Sequence, residues 1–330
     1  MQEPYTHRAR CLFGIPQLVA ARGVKPGLVL ARAGMPPLPF NDPDALVPRR
    51  SSLALVNQAA RMTGDTCFGL HVGAAFSLHQ GGAWAKAVQE APTLRAALNV
   101  VCRRMHLLHT GTKVELHEGP RKTVLEFRFQ GRTYENPRHF IEGSLAVALK
   151  VVQLAEDVAV SAFFEHERPP DVLELERIYG PRIAFSRHTN GLILESARLD
   201  EPLSAKTFRK AGKSGMPVPS ECENLVQTVL QTIEKLMPYG RPTIQDTAAE
   251  VGLGVRTLER RLNDWGIPYK AFLDQVRHLR ALDLLRTGRH SMTDIALLLG
   301  YSENAHFTRA FRRWTGMSPR QYANANHFAN

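Results

Sequence analysis

The stretch Ser291-Met-Thr-Asp-Ile-Ala-Leu-Leu-Leu-Gly-Tyr-Ser-Glu-Asn-Ala-His-Phe-Thr-Arg-Ala-Phe-Arg-Arg-Trp314 decides the reading of this chain, because most of it occurs twice. Thr243–Gly252 (TIQDTAAEVG) aligns with Ser291–Gly300 (SMTDIALLLG) at an offset of 48 positions. Thr257–Trp265 (TLERRLNDW) aligns with His306–Trp314 (HFTRAFRRW) at an offset of 49, so the second copy carries one extra residue in its turn.

Each element of the repeat has a physical reason. Thr243 with Asp246, and Ser291 with Asp294, have the spacing of a capping box. In such a box the hydroxyl satisfies an orphan N–H at the helix start while the carboxylate reaches back, here with Asp in place of the longer Glu. Ala248 and Ala249, or Ile295 and Ala296, follow on the first helix, and the small residues let a second helix cross closely. Gly252 and Gly300 fall where a helix ends in a left-handed turn. The second helix has an inner face of Leu258 and Leu262, or Phe307 and Phe311. Its outer face is Arg256, Glu259 and Arg260, or Asn304, Ala305, Thr308 and Arg309. Trp265 and Trp314 are expected in the core, closing each unit. Helix, glycine turn and polar second helix make the helix-turn-helix plan, whose second helix enters a major groove. One such unit is a weak signal; two in register, with matched caps, glycines, arginines and tryptophans, are specific. Between them, Tyr269–Arg286 reads as a connecting helix with Phe272, Val276 and Leu279 buried and Arg277 and Arg280 facing outward.

Charge placement agrees. The chain of 330 residues has a net charge of +11. From Pro238 to the end there are thirteen Lys+Arg against eight Asp+Glu, and twelve of the thirteen cations are Arg. Arg is the side chain suited to forked contacts with phosphate and guanine.

The stretch from 238 to 325 resembles the double helix-turn-helix domain of the AraC/XylS family of bacterial transcription regulators. Asp294–Pro319 carries that family's most specific signature almost intact. The resemblance implies two recognition helices in successive major grooves on one side of the duplex. Carried over position by position, Arg256, Thr257, Glu259 and Arg260 reach bases from the first helix, and Asn304, Ala305, His306 and Arg309 from the second. Arg261, Arg312, Arg313 and Arg320 are expected at phosphates or in solvent.

Upstream, Leu225, Val229, Ile233 and Leu236 form an apolar helical stripe that ends at the Pro238–Pro242 break. Arg209–Ser220 (RKAGKSGMPVPS) reads as a linker. Before it lies a mixed α/β region. Leu94, Leu98, Val101, Met105 and Leu108 share a helical face, as do Ile141, Leu145, Ala148 and Val152. Val124–Phe129 reads as a strand in which Leu125, Phe127 and Phe129 alternate with Glu126 and Arg128. Asp157–Glu167, Arg182–Arg187 and Gly191–Glu195 are weaker strands, and helices are expected at Val19–Gly34 and Leu53–Gly73, separated by the Pro-rich Met35–Pro48. Ala162–Leu203, with His166, Pro169-Pro170, Tyr179-Gly180, Phe185 and Leu199–Leu203, resembles the arabinose-binding-like effector domain of one branch of the same family. That resemblance covers about residues 15–205 and implies a ligand-responsive domain that also dimerises, without implying arabinose.

The expected organisation is therefore an α+β sensor domain at 1–208, a linker at 209–220, and an all-α reader at 221–330 with its two units at 243–265 and 291–314. The expected partners are double-stranded promoter DNA, RNA polymerase, an unidentified small-molecule effector and a second copy of the chain. The lack of an apolar run of eighteen residues and of an apolar leader points to the cytoplasm and away from a membrane. Cys11, Cys67, Cys102 and Cys222 show no CxxC spacing, so neither a disulfide framework nor a metal site is expected. No GxSxG, HExxH or P-loop occurs, and His109-Thr-Gly-Thr-Lys113 lacks phosphate-loop spacing. No catalytic residue and no cofactor is expected. The rivals are a regulator controlled by abundance or a protein partner, and an enzyme fused to a DNA-binding tail. Arg103, Arg104, His106 and His109 are either a face toward an anionic effector or a solvated helix face. Glu165-His166-Glu167, at a strand end, reads as a satisfied or exposed histidine rather than a catalytic one.

Overall fold

The five strands that carry the first half of the chain form one sheet in the order β3-β4-β7-β5-β6. They are Thr112–Glu118 (β3), Lys122–Phe129 (β4), Val160–Phe163 (β5), Ile183–Ala184 (β6) and Asn190–Glu195 (β7). Two short strands, Thr6–Arg8 (β1) and Leu46–Pro48 (β2), pair separately. The computed structural model describes residues 5–35, 42–156, 158–203 and 221–327. The described residues fall into two compact units, one within 5–203 and one within 221–327. The linker expected at 209–220 lies outside the described residues.

In the first unit the sheet buries one face because its register places apolar side chains side by side. Leu116 faces Leu125, Leu125 faces Leu192, and Leu192 faces Ala162 across four strands. Val114 and Phe127 form the next row. Against this face pack Leu94–Arg104 (α6) and Arg138–Val152 (α7), whose expected stripes are buried, although Met105 and Leu108 of the first lie just past the end of α6. Thr93 starts α6 by accepting the Ala96 N–H. Of the weaker strands, Gly191–Glu195 lies whole within β7, while β5 and β6 are shorter than expected. Glu126 departs from simple alternation: it is buried, and Arg128 Nε and Nη2 donate to it at 2.9 and 2.7 Å.

Each long helix expected in the first eighty residues is two helices. Ile15–Ala20 (α1) and Pro26–Arg32 (α2) replace one, and Arg49–Thr63 (α3) and Phe68–Ala75 (α4) replace the other. The breaks fall at Gly23 and Gly64, both at positive φ, where only glycine sits without strain. Gly82–Gln89 (α5), Val172–Tyr179 (α8) and β3 are elements the sequence reading did not place. The tightest packing is α4 on α7. A Cβ on Gly69 would lie 1.8 Å from His139 O, and one on Gly73 would lie 2.2 Å from Gly143 O. The two helix backbones therefore touch directly.

The second unit is all helical: Glu221–Leu236 (α9), Ile244–Val251 (α10), Val255–Trp265 (α11), Tyr269–Thr287 (α12), Met292–Leu298 (α13), Asn304–Thr315 (α14) and Pro319–His327 (α15). The expected α9 stripe holds for Leu225, Val229 and Ile233, which are buried. In α12, Phe272 and Val276 are buried as expected and Leu279 is half-buried. Arg277 is a correction: it points inward, not outward, and is 4% exposed.

Candidate nucleic-acid interface

The two copies of the repeat are built by the same bonds. Asp246 N–H donates to Thr243 Oγ1, and Thr243 N–H donates to Asp246 Oδ2, both at 3.1 Å. Asp294 and Ser291 repeat this pair at 3.1 Å each. The hydroxyl and backbone donors hold both aspartates below the usual carboxylate range. At the other end, Gly252 N–H donates to Ala249 O and Leu253 N–H to Ala248 O. Gly300 N–H donates to Leu297 O and Tyr301 N–H to Ala296 O, the same bonds 48 positions later. Both glycines take left-handed φ, +73° and +70°. This is the Schellman closure, and it aims the next helix.

The aimed helices are α11 and α14. Leu258 and Leu262, and Phe307 and Phe311, are fully buried on their inner faces. Arg256, Glu259 and Arg260 are exposed on the outer face of α11, with Thr257 half-buried. Asn304, Ala305, His306 and Arg309 are all exposed on α14. The candidate base-reading residues thus gather on the N-terminal turns of the two second helices. The phosphate candidates divide. Arg312 and Arg320 are exposed, Arg261 is half-buried, and Arg313 donates to Asp274 at 2.8 Å. Trp265 is in the core, whereas Trp314 is half-buried and stacks on His278 with ring centroids 5.2 Å apart.

Beside α14 runs a cationic groove of about 830 Å³. Its walls include Arg241 from the loop before α10, Lys270 and Arg277 from α12, and His306, Arg309 and Arg313 from α14. Arg241 and Lys270 are exposed and were not singled out in the sequence. The repeat itself held a signal for the first, since Arg241 precedes Thr243 as Arg289 precedes Ser291. Arg277 was missed as a structural residue. Its Nε donates to Leu299 O at 2.9 Å and its Nη2 to Gly300 O at 3.2 Å, tying α12 to the turn before α14.

In the first unit the titratable residues singled out in the sequence divide by burial. Arg103, Arg104 and His106 are exposed, and His109 alone of that group is buried. His166 lies beside fully buried Glu142, its Nε2 3.2 Å from Oε1, and Arg138 Nε donates to the same oxygen at 2.8 Å. Burial would raise the Glu142 carboxyl, but the neighbouring His139 and His166 and the Arg138 guanidinium outweigh it and hold it at about 2. Cys11, Cys67 and Cys102 are free thiols.

Residues 23–203 match the model described as the arabinose-binding domain of AraC transcription regulators, and residues 247–325 match a helix-turn-helix domain. The chain belongs to the AraC family. Its members regulate transcription through DNA-binding helix-turn-helix units, and this regulator has the same two-part build. It is 28% identical to the uncharacterised HTH-type transcriptional regulator Rv1395 of Mycobacterium tuberculosis over 97% of this chain and 95% of that protein. It is 24% identical to the ornithine utilization regulator of Pseudomonas aeruginosa, over 93% of each chain. Among solved structures it is similar to the transcriptional regulator CdpR of P. aeruginosa, at 24% identity and a TM-score of 0.39, over 91% of this chain and 96% of that one. Among the described residues no helix is long and apolar enough to cross a membrane.

Proposed function

We propose that this AraC-family regulator reads promoter DNA with the N-terminal turns of α11 and α14 in successive major grooves, half-site centres about one helical turn apart. Arg256, Thr257, Glu259 and Arg260 take the first half-site, and Asn304, Ala305, His306 and Arg309 the second. Arg forks onto guanine, Asn onto adenine, and the Ala305 methyl meets a thymine methyl. Arg312 and Arg320 hold phosphates, joined by Arg241 and Lys270. Arg261 and Arg313, one half-buried and one paired with Asp274, hold a smaller share. The observation that carries this reading is the pair of equivalent outward faces, each launched by an identical cap-and-glycine scaffold.

Residues 1–208 act as the sensing and dimerising part, 209–220 as the linker and 221–330 as the reader. A small-molecule effector shifts how the sensor dimerises or docks, which changes promoter occupancy or contact with RNA polymerase. It does so only through different affinities for the two states. The regulator works in the cytoplasm as a binding protein and catalyses no reaction.

Selection of random duplex DNA by the full-length protein tests the reading. A two-part motif with centres about one turn apart is the expected result. Salt-sensitive binding with no enriched motif overturns it in favour of a general duplex clamp.

A further inference from the structure

Between α4, α6 and α7 the first unit holds a cavity of about 60 Å³. Several times the roughly 10–15 Å³ needed by one water, it is far below the roughly 300–1,000 Å³ of a drug-sized site. Val72, Phe76, Trp84, Met105, Phe140 and Val147 make most of its apolar wall. The close approach of α4 and α7 supplies the remaining wall as bare backbone at Gly69, Gly73 and Gly143.

The polar groups on this wall are few, and most are already engaged. Ser144 Oγ donates to Phe140 O at 2.8 Å. Cys11 Sγ donates to Leu108 O at 3.7 Å, and burial pushes its thiol up to about 12, so it stays neutral. His109 Nδ1 is 3.0 Å from Thr112 Oγ1, and burial together with the nearby Arg49 charge lowers the imidazole to about 4. Two groups on the wall lack a hydrogen-bond partner: His139 Nδ1, which lies 3.7 Å from Glu142 Oε2, and Trp84. The Trp84 side chain is 1% exposed and its Nε1–H is unpaired. An indole N–H is a donor only, and a buried donor left unpaired costs about 1–3 kcal/mol. Among the described residues no lysine or arginine lines the cavity.

We infer that this cavity binds a small, uncharged, mainly aliphatic molecule whose single hydrogen-bond acceptor is taken by the Trp84 N–H. Neither a sugar nor a carboxylate fits the wall. A pentose would bring several hydroxyls out of water and find too few partners on this wall, and each unpaired hydroxyl is unfavourable in an apolar site. A carboxylate would be buried with no lysine or arginine opposite it. The domain's family is named for arabinose binding, and the lining of this cavity departs from that chemistry. The inference rests on the sensor reading above and names its ligand class.

Calorimetric titration of the full-length protein with acetone, L-arabinose and acetate tests it. The ketone is expected to bind saturably while the sugar and the anion do not. Trp84→Phe, which removes the donor and keeps an aromatic wall, should weaken ketone binding about five- to tenfold. Ala148→Leu fills the cavity and should abolish binding. Val147→Phe fills it from a half-buried position and serves if the first variant does not fold. Saturable arabinose or acetate binding, no ketone binding, or ketone binding unchanged by the filling variants each overturns the assignment. Operator affinity, measured with and without ketone, separates the two readings. Ketone binding with unchanged DNA affinity keeps the ligand class and removes the sensor. DNA affinity that responds to a sugar with no ketone binding does the reverse.

Discussion

The guanidinium of Arg277 lies 4.5 Å from the centroid of the Tyr301 ring, which it covers from within the second unit. The same guanidinium is bonded to Leu299 O and Gly300 O. One buried cation of the connecting helix thus satisfies the carbonyls of the turn between α13 and α14. The second reading helix is aimed by its own glycine turn and by this strut. Arg277→Met should remove two charge-assisted bonds, leave both carbonyls unpaired and destabilise the second unit by about 2–4 kcal/mol. Arg277→Lys restores charge but not the planar fork, so it should recover only part. Chemical denaturation gives the stability. Footprinting should show protection lost at the α14 half-site before the α11 half-site, and equal loss at both would remove the strut role.

The two turn glycines are equivalent in the repeat but not in space. A Cβ on Gly252 meets nothing within 4 Å, whereas one on Gly300 would lie 2.4 Å from Gly240 O. Both sit at positive φ, so either substitution to Ala carries about 1–2 kcal/mol of backbone strain. Gly300→Ala adds a backbone clash of roughly 1–3 kcal/mol. Thermal melts of the two single variants should therefore differ clearly, with Gly300→Ala the less stable. Equal losses would mean that the loop at Gly240 moves aside freely.

The reader was legible because its signals are local and doubled. Caps, glycines and inner faces act within a few residues, and each was stated twice in the sequence. Arg277 was misplaced for the opposite reason. Helical spacing put it beside exposed Arg280, and only the tertiary fold brings the Leu299 and Gly300 carbonyls to it. In the first unit α6 and α7 were legible from their apolar stripes. The splits at Gly23 and Gly64 were not, since a lone glycine is compatible with a continuous helix until packing requires a turn. β3 was hidden because, at the sheet edge, its alternation with Lys113, Glu115 and His117 offers only two apolar residues, Val114 and Leu116. The cavity could not be read at all: Gly69 and Gly143 are 74 positions apart, and their meeting is a long-range fact.

The exposed cations beside α14 should divide by how free they are. Arg241→Ala and Lys270→Ala are expected to weaken binding about equally on specific and unrelated duplexes, each lowering the salt slope by about one. Arg313→Ala should do less, because its charge is already engaged by Asp274. Arg256→Ala and Arg309→Ala should instead lose about 1–3 kcal/mol at one base position and relax specificity there. Binding isotherms at several salt concentrations on matched and mismatched duplexes distinguish the two classes. A base-specific loss in Arg241→Ala would move that residue into the reading set.

Acid should loosen the first unit in two steps. His109 is 5% exposed and faces His7, Phe140 and Thr112, with the Arg49 charge nearby. Burial, then Arg49, lowers it from 6.5 to about 4, and His7 is lowered well below 6.5 by burial, His109 and Arg49. A histidine with a depressed folded pKa binds its proton more tightly in the unfolded chain. Its contribution is therefore complete above about pH 6.5 and is lost as pH falls toward 4. For His109 alone the loss is about 3 kcal/mol. Glu142, held at about 2, obeys the same sign in a lower window: its share is present above its unfolded value of about 4.3 and is lost below it. Melting of the first unit should therefore fall steadily between pH 6.5 and 4, then again below. His109→Asn retains a polar atom toward Thr112 and should flatten the first slope while leaving the second. An unchanged slope in that variant would assign the upper window to His7.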